Sequence, residues 1–126
     1  MLPRYHILAG LLLSIVLYPL FKLDVIIIFL SSFIFDIDHY FIYVIQTKDL
    51  SLKRCYYDCL SKTAHNLLHI FHTIEFFILI IILSFFNKYV AFVTMGLSLH
   101  MILDIIDMIQ RKLWNARALS IIYYLI

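Results

Sequence analysis

Ionisable side chains recur at short, regular intervals inside the most apolar parts of this chain. Residues three or four positions apart lie on one face of a helix, so each interval predicts a polar stripe. The sets are Asp36, Asp38 and His39; His65, His69, His72 and Glu75; and His100, Asp104 and Asp107. Ionisable residues within membrane-spanning helices are costly and usually serve a function, so these sets are the candidate site.

The chemistry of the sets points to a divalent metal ion. Five of these residues are acids, and the apolar segments that hold them contain no Lys or Arg, so salt bridges cannot neutralise them. Isolated carboxylates in an apolar interior would cost several kcal/mol each or would have to be protonated. Carboxylates and neutral imidazoles together are the ligands of zinc, manganese or iron. We therefore expect one or two ions, with zinc as the first choice.

The elements that must position these side chains are predicted to be transmembrane helices. Of the 126 residues 64% are hydrophobic and 14% charged, whereas a soluble domain has roughly 45–50% and about 25%. A spanning helix needs about 20 apolar residues. Four segments approach that length, at 5–21, 24–46, 65–86 and 89–110. The sequence predicts one all-α membrane domain over 1–126, a four-helix transmembrane bundle.

The distribution of Lys and Arg predicts the orientation of this bundle. Eight of the ten lie in the N-terminus, the loop 47–64 and the tail 111–126, and only Lys22 and Lys88 lie on the other side. Positive flanks stay in the cytoplasm, so both termini are expected there, in an inner or plasma membrane. A helix rises about 1.5 Å per residue, which places all the polar sets, together with His6, at one level in the cytoplasmic half.

The two cytoplasmic segments are predicted to contain short helices at the membrane surface. In the tail, apolar residues from Trp114 to Leu125 recur at helical spacing opposite charged ones, as in helices that lie among lipid headgroups. The loop has a weaker apolar stripe that begins at Leu52. The composition excludes nucleic-acid binding through a basic face, intrinsic disorder and a disulfide scaffold. We expect membrane lipid to surround the protein. The sequence leaves open whether the chain forms a homo-oligomer.

Several motifs resemble one family along nearly the whole chain. They are Tyr5-His6-Ile7-Leu8-Ala9-Gly10, Asp36-Ile37-Asp38-His39, His72-Thr73-Ile74-Glu75 and His100-Met101-Ile102-Leu103-Asp104. The order resembles the predicted membrane-bound metal-dependent hydrolases typified by the YdjM-like inner membrane proteins. Two positions depart from the pattern, because Phe35 stands where many relatives have Pro, and His65-Asn66 stands where they have His-Arg.

The resemblance implies a role for each residue. The implied metal ligands are His6, Asp36, His39, His72, His100 and Asp104. Asp38 and Glu75 would be metal ligands, would support the ligands, or would be catalytic as a general base. Beyond what the resemblance implies, His65, His69 and Asp107 stay open as further ligands or as residues that orient the ligands.

The predicted activity is metal-assisted hydrolysis of an ester or phosphoester bond in a lipid or lipid-like substrate. A metal ion makes water a nucleophile at neutral pH, and a site in the cytoplasmic half of the bilayer is reached from the inner leaflet. Three other interpretations stay open: transport of a divalent cation or protons, a haem protein with His72 and His100 as axial ligands, and a purely structural hydrogen-bonded core.

Overall fold

The fold is known from a computed structural model that describes residues 3–61, 68–112 and 119–126. All regular structure in these ranges is helical, which confirms the predicted all-α class. The helices are α1 (Pro3–Phe21), α2 (Val25–Ser31), α3 (Ile37–Thr47), α4 (Leu52–Ser61), α5 (Ile74–Ser84), α6 (Lys88–Arg111) and α7 (Ile121–Leu125). Short 3₁₀ turns lie at Lys22–Asp24, Ile34–Asp36 and Ile70–His72.

Two helical stretches are long and apolar enough to cross a membrane, as judged by length and composition. One is the run Pro3–Thr47, which includes α1, α2 and α3, and the other is Lys88–Arg111, which is α6. Ile74–Ser84 is apolar but shorter, with 11 residues. The coarse expectation of long apolar helices therefore holds, whereas the division into four spans stays a proposal.

Helices α1 and α2 form an antiparallel hairpin. The chain turns at Lys22, whose φ of 52° lies in the left-handed region. The hydroxyl of Ser14 donates to the carbonyl of Val25, and the hydroxyl of Ser32 donates to the carbonyl of His6. Because residues near the start of α1 face residues just beyond the end of α2, His6 is brought next to the chain segment that leads to Asp36.

Helix α6 packs against this hairpin through small residues. A methyl group on Gly96 would overlap the Ser31 hydroxyl and the Ile28 carbonyl, and one on Gly10 of α1 would overlap Ser32. The absence of a side chain at both glycines lets α1 and α6 approach the end of α2 closely. This close approach sets His100, four residues after Gly96, beside the carbonyl of Ser32.

Two of the predicted spans are not continuous helices. The segment 24–46 is interrupted between Ser31 and Ile37 by a 3₁₀ turn that contains Asp36. In the segment 65–86 the helix begins only at Ile74, and residues 65–67 lie outside the described residues. His69 and Thr73 have extended backbones, with ψ of 100° and 151°. The expected single stripe of His69, His72 and Glu75 on one helix is therefore wrong.

The loop between α3 and α4 is organised by one carboxylate. Asp49 accepts hydrogen bonds from the Ser51 N–H, the Tyr43 hydroxyl and the Arg54 guanidinium. These donors, the Ser51 N–H first, lower the pKa of Asp49 below its ordinary value. The helix expected in the loop 47–64 is α4, and in the tail the described helix is α7. Residues 113–118, which carry much of the predicted tail stripe, lie outside the described residues.

Candidate metal centre

Five buried or nearly buried side chains meet at one point between α1, α6 and the two turns that follow α2 and precede α5. We call this set the inner cluster, and it consists of His6, Asp36, His72, His100 and Asp104. Relative exposure is 0% for each of the three histidines and 1% for Asp104. The sequence predicted all five as metal ligands, and the structure brings them together from positions almost one hundred residues apart.

The closest contact in the inner cluster joins two imidazoles. Nε2 of His72 lies 2.7 Å from Nε2 of His100. The other nitrogen of each ring already has an acceptor, because His72 Nδ1 lies 3.0 Å from Asp38 Oδ2 and His100 Nδ1 lies 2.8 Å from the Ser32 carbonyl. Each Nδ1 therefore carries the proton and each Nε2 presents a lone pair. A separation of 2.7 Å is that of an N–H···N hydrogen bond with a shared proton, and it is shorter than the roughly 3.3 Å between two ligand atoms on one zinc ion. The two rings would therefore move slightly apart to bind a metal ion together.

Carboxylate oxygens surround the same two nitrogens. Asp104 Oδ2 lies 3.4 Å from His72 Nε2 and 3.6 Å from His100 Nε2. Asp36 Oδ1 lies 3.9 Å and 3.7 Å from the same nitrogens. These distances are too long for hydrogen bonds. Ligand atoms at about 2.0–2.1 Å from a zinc ion in a tetrahedron would lie roughly 3.3 Å apart, so the spacing suits a shared ion.

His6 completes the inner cluster on the side of α1. Its ring stacks on His100 with a centroid distance of 4.1 Å, and its Nε2 lies 3.4 Å from Asp104 Oδ1. Both ring nitrogens are buried without a hydrogen-bond partner among the described residues, and so is Asp36 Oδ2. Buried polar atoms normally have a partner, so these three atoms indicate a position at which a ligand would bind. The donor set thus fits a divalent cation.

A second group of ionisable side chains lies beside the first. We call it the outer cluster, and it consists of Asp38, His39 and His69, whose potential ligand atoms lie within 4.8 Å of one another. His39 is also close to the inner cluster, since its Nε2 lies 3.7 Å from Asp36 Oδ1. Its side chain is 29% exposed and that of Asp36 is 11% exposed, so the centre opens on this side.

Asp38 holds its neighbours in place. Oδ2 accepts from His72 Nδ1 and from the backbone N–H of Phe71 at 3.3 Å. A carboxylate in this position fixes the ring orientation and the tautomer of a metal-binding histidine and raises its basicity. The geometry therefore gives Asp38 a positioning role through Oδ2, and its predicted role as a general base stays a prediction.

Two of the sequence-predicted residues that the structure describes, Glu75 and Asp107, do not join either cluster. The Glu75 carboxylate accepts from the Ser120 hydroxyl and from the N–H groups of Ile121 and Ile122, so it caps α7. Asp107 forms an ion pair with Arg111, with Oδ1 at 2.8 Å from Nε. His65 lies outside the described residues. The predicted use of Glu75 as a general base therefore has no geometric support.

Two contributors to the centre could not be predicted from the sequence. The Ser32 carbonyl orients His100, and the Phe71 N–H helps to hold Asp38, but backbone groups leave no trace in residue types. Thr73 could have been found, because a Thr that precedes an apolar run is a typical N-cap. Its hydroxyl accepts from the Phe76 N–H, which starts α5 directly after His72.

Comparison with known proteins finds no matching family model, no matching curated protein and no matching solved structure. The resemblance to the YdjM-like proteins therefore stays a prediction from short motifs. What the fold and the site define is a class: an all-helical protein with long apolar helices and a buried His/Asp cluster that could bind a metal ion.

Proposed function

We propose that this chain is a membrane-embedded, metal-dependent hydrolase of the YdjM-like type that cleaves ester or phosphoester bonds in lipid or lipid-like substrates. The observation that carries the proposal is the convergence of His72, His100 and Asp104, all buried, whose potential ligand atoms lie within 4.8 Å of one another. Zinc is the first choice for the shared cation, with manganese or iron as alternatives.

The distribution of polar and apolar surface supports a bilayer as the solvent. Buried positions hold most of the ionisable side chains of both clusters together with three serines: His6, Asp38, His69, His72, His100, Asp104, Ser14, Ser31 and Ser32. Large apolar side chains are exposed instead, among them Leu12, Val16, Leu20 and Ile82. Such a surface is unfavourable in water but not in lipid, so we propose that the chain lies in a bilayer. We propose four crossings with both termini in the cytoplasm, as the distribution of Lys and Arg predicts.

An aromatic group next to the inner cluster supports an apolar substrate. Three phenylalanines, Phe35, Phe71 and Phe76, contact one another with centroid distances of 5.6, 5.8 and 5.1 Å. Phe35 directly precedes Asp36 and Phe71 directly precedes His72, so the aromatic group adjoins both turns of the inner cluster. An acyl chain next to this group would keep water away and present its ester to Asp36.

The residues around the ion have separate roles. His72, His100, Asp104 and Asp36 Oδ1 would hold the ion, which supplies Lewis acidity and makes water nucleophilic near neutral pH. Asp36 Oδ2 is buried, lacks a hydrogen-bond partner and belongs to the half-open side, so it accepts the proton of the attacking water. Asp38 keeps the His72 ring oriented throughout.

Purified protein in detergent tests this proposal. Wild type and Asp104→Asn are compared for metal content by elemental analysis and for cleavage of fluorescent phospholipids and simple phosphodiesters in mixed micelles. In wild type we expect about one ion per chain in the inner cluster and zinc-dependent cleavage. In Asp104→Asn we expect loss of this ion and of the cleavage. Protein that is metal-free at saturating zinc, or equal cleavage by the two proteins, would contradict the proposal.

Transport of a divalent cation is distinguished by flux into proteoliposomes. The hydroxyls of Ser14, Ser31 and Ser32, the buried polar groups of the α1–α2 hairpin beyond the cluster, all donate to backbone carbonyls. Hydroxyls that donate to carbonyls in this way do not form a relay for cations towards Asp24, which lies in the turn between α1 and α2. We expect no zinc flux above that of empty vesicles, and flux that depends on Asp104 would replace hydrolysis with transport.

A further inference from the structure

The outer cluster contains two buried polar atoms that lack a hydrogen-bond partner. They are Asp38 Oδ1 and His69 Nδ1, and the two residues are 6% and 4% exposed. The two atoms face each other across 3.7 Å. A hydrogen bond between an imidazole and a carboxylate would be about 2.7–2.9 Å long, so the gap is too wide for a proton to satisfy both atoms.

The gap is of the size that a shared metal ion would occupy. A nitrogen and an oxygen bound to one zinc ion at about 2.0–2.2 Å each are separated by roughly 3.3–3.5 Å in a tetrahedron. A cation there would also compensate the charge of Asp38, whose ion-pair partners among the described residues are the imidazoles of His69 and His72.

His39 supplies the third ligand. Its ring lies against that of His69 with a centroid distance of 4.0 Å, and the potential ligand atoms of the three outer residues are within 4.8 Å of one another. His39 is the most exposed side chain of the centre. An ion held by three protein ligands with one side open keeps a coordination position for water or substrate.

We propose that Asp38, His39 and His69 form a second divalent-cation site, linked to the inner cluster through the Asp38 carboxylate. Oδ2 of Asp38 fixes His72, and Oδ1 binds the outer ion. The outer site is more open than the inner one and exchanges its ion faster. It does not depend on the hydrolytic activity proposed above, because its evidence is the pair of unpartnered atoms and not the geometry of the inner cluster.

Metal stoichiometry tests the outer site. Full-length protein in detergent is equilibrated with graded free Zn²⁺, and bound zinc per chain is measured by elemental analysis. We expect two ions in wild type, one in His69→Gln and one in His100→Gln, with none in the double variant. Because each single variant removes a different ion, failure of the inner site and failure of the outer site give different patterns.

A second variant and a matched control protect the test from misfolding. His39→Gln should lose the same single ion as His69→Gln. The double variant that carries both of these substitutions should still retain the ion of the inner cluster. Glu75→Gln, which removes a carboxylate that is bound to α7 and not to either cluster, should keep both ions. Far-UV circular dichroism and gel filtration identify any variant that has not folded.

Exchange kinetics give an independent readout. When a coloured chelator is added to the two-ion protein, we expect a fast phase of one ion and a slow phase of one ion, with the fast phase absent in His69→Gln. An unchanged zinc content in His69→Gln, or a wild type that saturates at one ion, would overturn the second site whether or not the protein hydrolyses any substrate.

Discussion

Two polar segments of this chain have almost the same spacing and fold differently. His100, Asp104 and Asp107 lie within the continuous helix α6, and all three are buried, with exposures of 0%, 1% and 3%. His72 and Glu75 belong to a segment in which the backbone is extended at His69 and Thr73, and α5 begins only at Ile74. One segment is a helical stripe and the other is a bend.

The bend distributes its side chains in three directions. His69 faces Asp38 Oδ1, His72 faces His100, and Glu75 faces the start of α7. A regular helix would have stacked all three on one face, as α6 does with its own polar residues. The difference teaches that equal spacing indicates a shared face only where the backbone is helical, and that a break lets one short segment serve several partners.

The largest loss of zinc binding is expected for the two histidines at which the bend and α6 meet. His72→Gln on the bend and His100→Gln on α6 should each reduce binding of the inner ion to background, because both Nε2 atoms face the same point. Elemental analysis at saturating zinc, corrected for the outer ion, measures the loss. If only one of the two variants lost the ion, the two segments would not share a site.

A smaller loss of zinc binding is expected when the contact between Asp38 and His72 of the bend is weakened. Asp38→Asn keeps the size of the side chain but weakens the acceptor for His72 Nδ1, so affinity of the inner cluster for zinc should fall roughly 10–100-fold. Competition with a chelator of known affinity measures it. A variant with unchanged affinity would show that His72 does not need this partner.

The stability of the bend itself can be tested at its N-cap. Thr73→Ala removes the hydroxyl that accepts from the Phe76 N–H and should lower the free energy of unfolding by about 1 kcal/mol. Thr73→Ser, which keeps the hydroxyl, is the matched control and should lose less. Denaturation in mixed micelles, followed by circular dichroism, gives both values, and equal losses would mean that the cap contributes little.

The smallest effect on the metal centre is expected at the end of the bend. Glu75→Gln should leave the zinc content unchanged and loosen α7, because the carboxylate binds the Ser120 hydroxyl and two N–H groups of that helix. Faster hydrogen exchange at Ile121 and Ile122 would report the loosening. Loss of an ion in this variant would place Glu75 in the centre, as the sequence motif first indicated.

Composition and spacing predicted much of the site. The excess of acids over cations and the histidines in apolar segments were sufficient to propose a metal centre. The individual ligands came from the resemblance to the YdjM-like proteins, and the five residues of the inner cluster are all among those that it implies. The stripe on α6 was predicted correctly because its 24 residues form one unbroken helix, for which side-chain direction follows from spacing alone.

The remaining features depended on contacts between distant segments. The 3₁₀ turn at Asp36, the late start of α5 at Ile74 and the engagement of Glu75 by α7 arise from packing and from hydrogen bonds to backbone groups. An apolar run predicts burial in helix or membrane but carries no information on where such a run is interrupted, because the same residue types occupy both sides of the break.

That this protein is helical and apolar, with a His/Asp set that suits a metal ion, follows from residue types and their local spacing. Which atoms meet depends on the tertiary structure. The facing Nε2 atoms of His72 and His100, and the two oxygens of Asp38 directed at different clusters, result from close packing of helices at Gly10 and Gly96 and from a bend that orients each ring. Such geometry depends on three-dimensional packing, which no local pattern in the chain encodes.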